Sequence, residues 1–517
     1  MAIPKLTADV EIIRKLCTFP NREDGLTAEQ LKEKFDRGSV EIRKYINTVL
    51  VPVLDKALPN AGDTVQAPAD GVWVAGYLRD LAENGHHYAW LDGEYLVKER
   101  IEIPAGMTII GGTFVADAGF EDALFRAKGD NVRLIGVTLK APALDKVPSI
   151  YVKNDVQTTS RDSNVMGLYS DGHEGIAMLD CVCDKLIPAK IDNGSGIIHG
   201  CRITDCSMFA YATNCRLTVS DNDVSMCDTG LDQFYHVYYL DQDSELVASN
   251  NRIRCDTQAA YRDVYHPMTA GNKGKYRATC IIDGDVVVGN FQTVIDCHYA
   301  DLTLKNCTII NTNKDSWTEF GNAACSSFVF ENCDLEYMGA AGQELPDSMI
   351  AGRDIPEGVE PDEWKGSGYD TCYAVYDGCR IRRSSHLNRR ATYRDCHVDL
   401  TIGGASVIAN LCNVLDCRIT IRGCNVTEVV EGETKTTFKD PQCIGVISSA
   451  AAKFDFCGNH VVFVHPNSSG YMFRYASLDG VVCNNVFSGV AAGSALWYGG
   501  ADLGISQNNI LKEVATT

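Results

Sequence analysis

The chain is short of several features that would mark its class at once. No two of its 22 cysteines stand three residues apart, so there is no C-x-x-C pair to suggest a zinc ribbon or a thioredoxin-type site. No apolar run reaches the roughly eighteen residues a membrane-spanning helix needs. The opening Met1-Ala2-Ile3-Pro4-Lys5 runs into mixed polar residues instead of an apolar core and a small-residue cleavage site, so no secretory signal is expected. Positive charge is scarce as well: 47 Lys and Arg face 68 Asp and Glu, and a formal net charge of -21 argues against a nucleic-acid grip. Gly271-Asn272-Lys273-Gly274-Lys275-Tyr276 ends in Tyr where a phosphate loop needs Ser or Thr. His86 and His87 are adjacent, point to opposite faces of any strand and cannot share a metal. No cofactor and no metal are expected.

What is present is a phrase that keeps returning: alternating apolar residues, then Asn or Cys, one variable residue, and Ile, Val or Leu. It appears as Gly200-Cys201-Arg202-Ile203, Asp221-Asn222-Asp223-Val224, Asn250-Asn251-Arg252-Ile253, Asn306-Cys307-Thr308-Ile309, Asn332-Cys333-Asp334-Leu335, Gly378-Cys379-Arg380-Ile381, Asp395-Cys396-His397-Val398, Asp416-Cys417-Arg418-Ile419, Gly458-Asn459-His460-Val461, Asn484-Asn485-Val486 and Asn508-Asn509-Ile510. Successive aliphatic anchors are spaced by 21, 29, 26, 21, 25 and 24 residues where the phrases are consecutive, the period of a solenoid. Leu302-Thr303-Leu304 and Arg418-Ile419-Thr420-Ile421 have strand alternation, and no amphipathic helix of about ten residues fits between the phrases. A coil advancing one turn per repeat stacks each strand parallel on the one before, giving a parallel β-helix with side chains lined up in ladders.

Within such a ladder Asn tolerates left-handed backbone and can bond the amides of the next coil, while Cys is a small apolar filler. All cysteines but Cys17 lie beyond residue 180, many in this slot, so they read as reduced thiols packed inside the coil, consistent with assembly in a reducing cytoplasm. At roughly 24 residues per turn and roughly 4.8 Å per strand, residues 95–511 make a rod on the order of 80 Å long.

The entry to the coil reads Leu91-Asp92-Gly93-Glu94-Tyr95-Leu96-Val97, then Ile101-Glu102-Ile103-Pro104-Ala105-Gly106-Met107-Thr108-Ile109-Ile110-Gly111-Gly112-Thr113-Phe114. Here the chain resembles the pectate-lyase-like superfamily of right-handed β-helices over about residues 90 to 512. The resemblance implies an all-β right-handed solenoid. It leaves function open, since that superfamily holds lyases, hydrolases, epimerases, phage tailspikes and inert adhesins.

Ahead of the coil, Thr27-Ala28-Glu29-Gln30 is a capping-box pattern, and Ile42, Ile46, Val49 and Val53 form an apolar stripe interrupted by Pro52. The stretch from Leu6-Thr7-Ala8-Asp9-Val10 through Gly25-Leu26-Thr27-Ala28-Glu29-Gln30-Leu31-Lys32 resembles the leader of tail and appendage proteins in phages and prophages of Gram-positive bacteria. The division expected is a helical attachment or oligomerisation region at 1–58, a linker and a helix beneath the first coil at 59–88, the β-helix at 89–512 and a tail at 513–517. Turn signals at 56–75 read as linker, with a helix from Gly76 to Asn84.

Chemistry is expected where loops leave the coil. One interruption, Asp228 to Asp243, holds Asp228, Asp232 and Asp241 beside Tyr235, His236 and Tyr238; sugar clefts combine rings that stack on pyranoses with two carboxylates about 5 to 10 Å apart. The same alternation can also be one face of a strand. Trp317 and Glu319 form a second aromatic and acid pair, and the excursion from Tyr337 to Tyr369 carries Trp364. The candidate catalytic residues are thus Asp228, Asp232, Asp241 and Glu319, and the candidate sugar contacts Tyr235, His236, Tyr238, Trp317 and Trp364. The run Arg380 to Arg390 is the one concentrated positive charge, able to hold an anionic sugar or to pair with surrounding acids. Together with the two resemblances this reads as a virion tailspike or receptor-binding appendage: assembled in the host cytoplasm, bound to phage tail or baseplate proteins by its N-terminus, trimeric by family resemblance. It would recognise a bacterial surface glycan, with hydrolysis of that glycan left open. The competing readings are an autonomous polysaccharide lyase or hydrolase and a purely structural appendage.

Overall fold

The computed structural model describes residues 71–514, except 119, 121, 142–164, 207, 227–233, 256–260, 268–275, 292–293, 313–320, 325, 338–349, 353–372, 385–386, 388–390, 403–411, 431–432, 443 and 499–504. One turn shows how the repeat is used. Ser195–His199 lies in a first sheet, the chain bends at Gly200-Cys201, Arg202–Cys206 enters a second sheet, and Met208–Thr213 enters a third before Asn214-Cys215 returns it to the first. Among the described residues the first and second sheets each hold 16 strands and the third holds 10, every strand pairing parallel with its counterpart one turn on. Parallel crossovers of this kind are right-handed, and the molecule is a right-handed parallel β-helix. Sixteen strands at about 4.8 Å give a rod about 70 Å long.

Register explains the repeat phrase. Ile203, Val224, Ile253, Val287, Ile309 and Leu335 are direct cross-strand partners in succession, and all are at most 1% exposed. The Asn and Cys slot two residues earlier forms a second internal column. Cys201, Asn222, Asn251, Cys307, Cys333, Cys379, Cys396, Cys417, Asn459 and Asn485 are all buried. Asn222 donates from Nδ2 to Asn251 Oδ1 (2.8 Å), and Asn459 donates likewise to Asn485 (3.0 Å). Slot side chains also reach back to main-chain carbonyls of an earlier coil: Asn251 Nδ2 to Val219 O (3.1 Å), Cys379 Sγ to Phe330 O (3.3 Å). All seventeen described cysteines are free thiols, fourteen of them buried. Burial pushes the Cys215 thiol up to about 12.

Two details differ from the sequence reading. The left-handed bend and the internal slot are separate columns: Asp221, Asn250, Asn306, Asn332 and Asp416 carry the positive φ (52 to 57°), and the residue after each is the buried one. Short side chains that bond their own backbone populate that conformation most readily among non-glycine residues. In the last two coils the internal apolar positions are Phe487 and the partly buried Leu511, in register with Val461, whereas Val486 and Ile510 stand on the outer face. A doublet of Asn allows that one-residue slip, which in a strand moves every side chain to the other face.

The helix before the coil is Gly71–Glu83, starting five residues ahead of Gly76. It packs Val74 and Leu78, both fully buried, over the end of the core, and Gly71 sits so close to Val97 and Ile101 that a Cβ would touch both. Residues 1–70, with the stripe Ile42 to Val53, lie outside the described residues. No helix among the described residues is long and apolar enough to cross a membrane. The excursion read from Tyr337 to Tyr369 is not wholly outside the coil, because Ile350–Gly352 pairs with Gly321–Ala324 as the last strand of the third sheet. Beyond it the third side is replaced by an antiparallel hairpin, Cys424–Val430 with Glu433–Lys439, and a three-stranded sheet of Gly445–Ala452, Tyr471–Leu478 and Ala495–Trp497.

Candidate functional site

The segment read as an interruption is largely regular coil: Phe234–Asp241 is a strand of the third sheet. Its pairing with Met208–Thr213 sets Met208 against His236, Tyr211 against Tyr239 and Thr213 against Asp241. Tyr238 does not face a sugar. It is fully buried in the core and donates its hydroxyl to Asp285 Oδ2 at 2.8 Å. His236 is 1% exposed and packs on the ring of Tyr239, 5.2 Å between centroids. The backbone of Tyr235 lies in the strand. Asp228, Asp232, Trp317, Glu319 and Trp364 lie outside the described residues, so of the expected acids only Asp241 has a described place.

That place is shared. Reading along the register, Asp171 pairs with Asp192, Asp192 with Thr213, and Thr213 with Asp241, a polar column at the exit of the third sheet. Strand spacing puts Asp171 and Asp192 about 4.8 Å apart at the backbone, and Asp192 and Asp241 about twice that. Each column member precedes a residue with positive φ, namely Gly172, Asn193, Asn214 and Gln242. Asp171 accepts from Asn193 Nδ2 (2.9 Å), and Asp241 Oδ1 accepts from the Gln242 amide (2.8 Å).

Asp192 is the distinctive member. Its side chain is 13% exposed; Oδ2 lies 3.4 Å from Lys190 Nζ, and Oδ1 is buried without a hydrogen-bond partner among the described residues. Burial raises its pKa above the ordinary carboxylate value, the Lys190 ammonium and the Thr213 hydroxyl pull it back, and Asp171 adds to the rise. Lys190 is held between two rings, 5.3 Å from the centroid of Tyr169 and 4.9 Å from that of Tyr211. Tyr211 meets Tyr239 edge to face at 5.0 Å. Tyr211 and Tyr239 are buried and Tyr169 is half-buried, and together with the ammonium they fix Asp192 from behind.

A carboxyl with a raised pKa beside carboxylates one and two strand spacings away has the ingredients of general acid and base or nucleophile chemistry. Asp171, Lys190 and Asp192 were not anticipated from the sequence. Aligning the bend that leaves the third sheet in each coil, Asp171-Gly172, Asp192-Asn193 and Asp241-Gln242, would have found the acids. Among the described residues, no three His, Cys, Asp or Glu side chains are grouped to hold a metal.

No family profile matches the chain, and no curated protein matches it in sequence. Solved structures do resemble it at low similarity. A tailspike mutant of E. coli bacteriophage HK620 in complex with a pentasaccharide is 9% identical with a TM-score of 0.39, covering 88% of this chain and 77% of that one. DFA-IIIase from Arthrobacter chlorophenolicus A6 is 10% identical with a TM-score of 0.38, covering 68% and 92%. The A-module of the Azotobacter vinelandii mannuronan C-5 epimerase AlgE4 is 9% identical with a TM-score of 0.30, covering 87% and 98%.

Proposed function

We propose that this protein is a rod-shaped glycan-recognising appendage of the phage tailspike kind, and that its acid column hydrolyses the bacterial surface polysaccharide it binds. The observation that carries the catalytic part is the in-register alignment of Asp171, Asp192 and Asp241, with burial raising the pKa of the middle one. In this reading the raised pKa of Asp192 suits it to donate a proton to the glycosidic oxygen, while Asp241 or Asp171 acts as the carboxylate partner. Asp241, two spacings away, suits a water-mediated inverting reaction, and Asp171, one spacing away, suits a retaining one. Recognition along a rigid rod matches the β-helix body, and attachment to a tail or baseplate belongs to residues 1–58, whose leader resembles phage appendage proteins. The trimer is part of the same proposal.

The test is incubation with capsular and cell-wall polysaccharides while following new reducing ends and the ultraviolet absorbance of unsaturated uronates. Hydrolysis predicts reducing ends without that absorbance, and Asp192→Asn should lower the rate by about 100-fold or more. Equal rates for Asp192→Asn and the parent would remove the acid column from the mechanism. Absorbance from unsaturated sugars would replace hydrolysis with elimination.

A further inference from the structure

The outer face of the second sheet carries one outward column in which every coil contributes the residue after the Asn or Cys slot. In the C-terminal half, Arg380 pairs with His397, His397 with Arg418, and Arg418 with His460. All four are exposed. Four cationic or potentially cationic side chains in direct succession, about 4.8 Å apart, is an arrangement strands ordinarily avoid, because like charges directly opposite one another destabilise the pair.

Acidic side chains are plentiful on this molecule, and several of its other arginines use them. Arg254 holds Asp223 at 3.0 Å, Arg394 lies 3.4 Å from Asp377, and Arg382 takes both Asp334 (2.9 Å) and Glu336 (2.7 Å). Arg380 and Arg418 form no ion pair among the described residues, although Asp334 is the direct cross-strand neighbour of Arg380. The acids nearest in sequence are turned elsewhere: the Asp416 carboxylate lies over Gly458 of the next bend, and Asp399 stands in the adjoining column against Thr420. Among the described residues the His460 ring bonds only the Ser488 hydroxyl, at 3.4 Å.

We propose that this column binds an acidic polysaccharide lying along the rod. A pyranose with its glycosidic oxygen spans roughly one strand spacing, so Arg380 and Arg418, two spacings apart, fit carboxylates on alternate sugars. A guanidinium fork matches a carboxylate in both geometry and charge. His397 and His460 supply N–H donors and flat faces to the sugars between. A net charge of -21 repels a polyanion from the rest of the surface and confines it to this stripe. A single-stranded nucleic acid is the rival polyanion, but it needs aromatic platforms for its bases. The outward neighbours here are Thr420, Val462, Val486 and Ser488. The inference rests on the glycan-binding reading above but uses a different face from the acid column.

The test is calorimetric titration of the full chain with hyaluronan, which carries a carboxylate on alternate sugars, with polygalacturonate, with neutral dextran and with a DNA oligonucleotide. Hyaluronan is expected to bind most tightly, more weakly as salt rises, and dextran not at all. Arg380→Ala with Arg418→Ala should weaken hyaluronan at least tenfold, because each loses a charge-assisted contact. The thermal unfolding midpoint should not fall, since both side chains are exposed and their removal relieves opposed like charges. Unchanged affinity in the double variant, DNA binding equal to hyaluronan, or no binding of any acidic glycan would overturn the proposal. Failure here separates from failure of the catalytic reading: cleavage that is lost in Asp192→Asn and kept in the arginine variant leaves the acid column standing alone, and stripe-dependent binding without any cleavage leaves the stripe standing alone.

Discussion

Between residues 202 and 252 the outer column of the second sheet reads Arg202, Asp223, Arg252; between 380 and 460 it reads Arg380, His397, Arg418, His460. The interior shows the opposite contrast. In the N-terminal half the ladder of Asn222 and Asn251 ends on a buried carboxyl, Asp285, whereas the C-terminal half continues with uncharged Cys307, Cys333, Cys379, Cys396 and Cys417. In a solenoid, register fixes who stands above whom, so charge has to be settled within a column or from outside the protein. The N-terminal outer column alternates in sign, and its carboxylate Asp223 is bonded to Arg254 of the adjoining column. The C-terminal one leaves it open, which is why a ligand is expected there and not at Arg202.

Breaking the interior ladder has the largest expected effect. Asn251 accepts at Oδ1 from the Asn222 amide (3.1 Å) and side chain (2.8 Å), and donates to Val219 O (3.1 Å) and Asp285 Oδ1 (3.0 Å). Asn251→Ala leaves several buried groups unpaired and should cost about 3 to 5 kcal/mol in chemical denaturation. Asn251→Cys, which puts the other slot residue in place and keeps a donor for Val219 O, should cost less. Equal losses for the two variants would show that hydrogen bonding in the slot is not what matters.

Next in size is the buried acid. Burial pushes the Asp285 carboxyl up to about 6, against hydrogen bonds from the Asn251 amide, the Tyr238 hydroxyl and the Asn251 side chain, with Asp283 adding to the rise. Because the folded pKa lies above the unfolded value of 3.8, the native state holds the proton more tightly. Stability from this group is therefore highest below pH 3.8, falls as pH rises toward 6, and stays lower beyond it. The difference is about 3 kcal/mol, an order-of-magnitude figure. Asp285→Asn should remove that slope and stabilise the protein at neutral pH, measured as unfolding free energy against pH. An unchanged slope would mean that Asp285 titrates alike in the folded and unfolded states.

The solenoid itself was legible because its period and its Asn or Cys slot recur in the sequence. The coil at Asp285 was not, since Gly284-Asp285-Val286-Val287 has neither residue in the slot, and the gap from Ile253 to Ile309 hides a whole turn. The last two coils were read one residue out because Asn484-Asn485 and Asn508-Asn509 satisfy the phrase in either frame. The acids fared worst. Of the proposed set only Asp241 takes a described place at the column, and Asp171 and Asp192 escaped notice because the third-sheet bend accepts Gly, Asn or Gln and leaves no repeated letter. The candidate sugar contact Tyr238 proved to be core, for alternation alone does not tell which face of a strand is inside. The basic stripe was half visible: Arg380 sits in the run noted from composition, but its partners His397, Arg418 and His460 are neighbours only through register.

The smallest expected effect on stability sharpens the comparison most directly. His397→Asp would place a carboxylate between Arg380 and Arg418, the same alternation that Arg202, Asp223 and Arg252 already show. An opposite-charge cross-strand neighbour on an exposed face contributes about 0.2 to 1 kcal/mol, so the unfolding midpoint should rise slightly and the gain should fade in high salt. Binding should move the other way. With an internal carboxylate between the two guanidinium groups, hyaluronan affinity should fall roughly tenfold or more even though both arginines remain. Asp223→His tests the converse: it removes the partner of Arg254 (3.0 Å), should cost a similar fraction of a kcal/mol, and should create weak salt-sensitive affinity for the same polymer where the parent has none. If His397→Asp gains stability and keeps its affinity, the column is charged for reasons unrelated to a ligand.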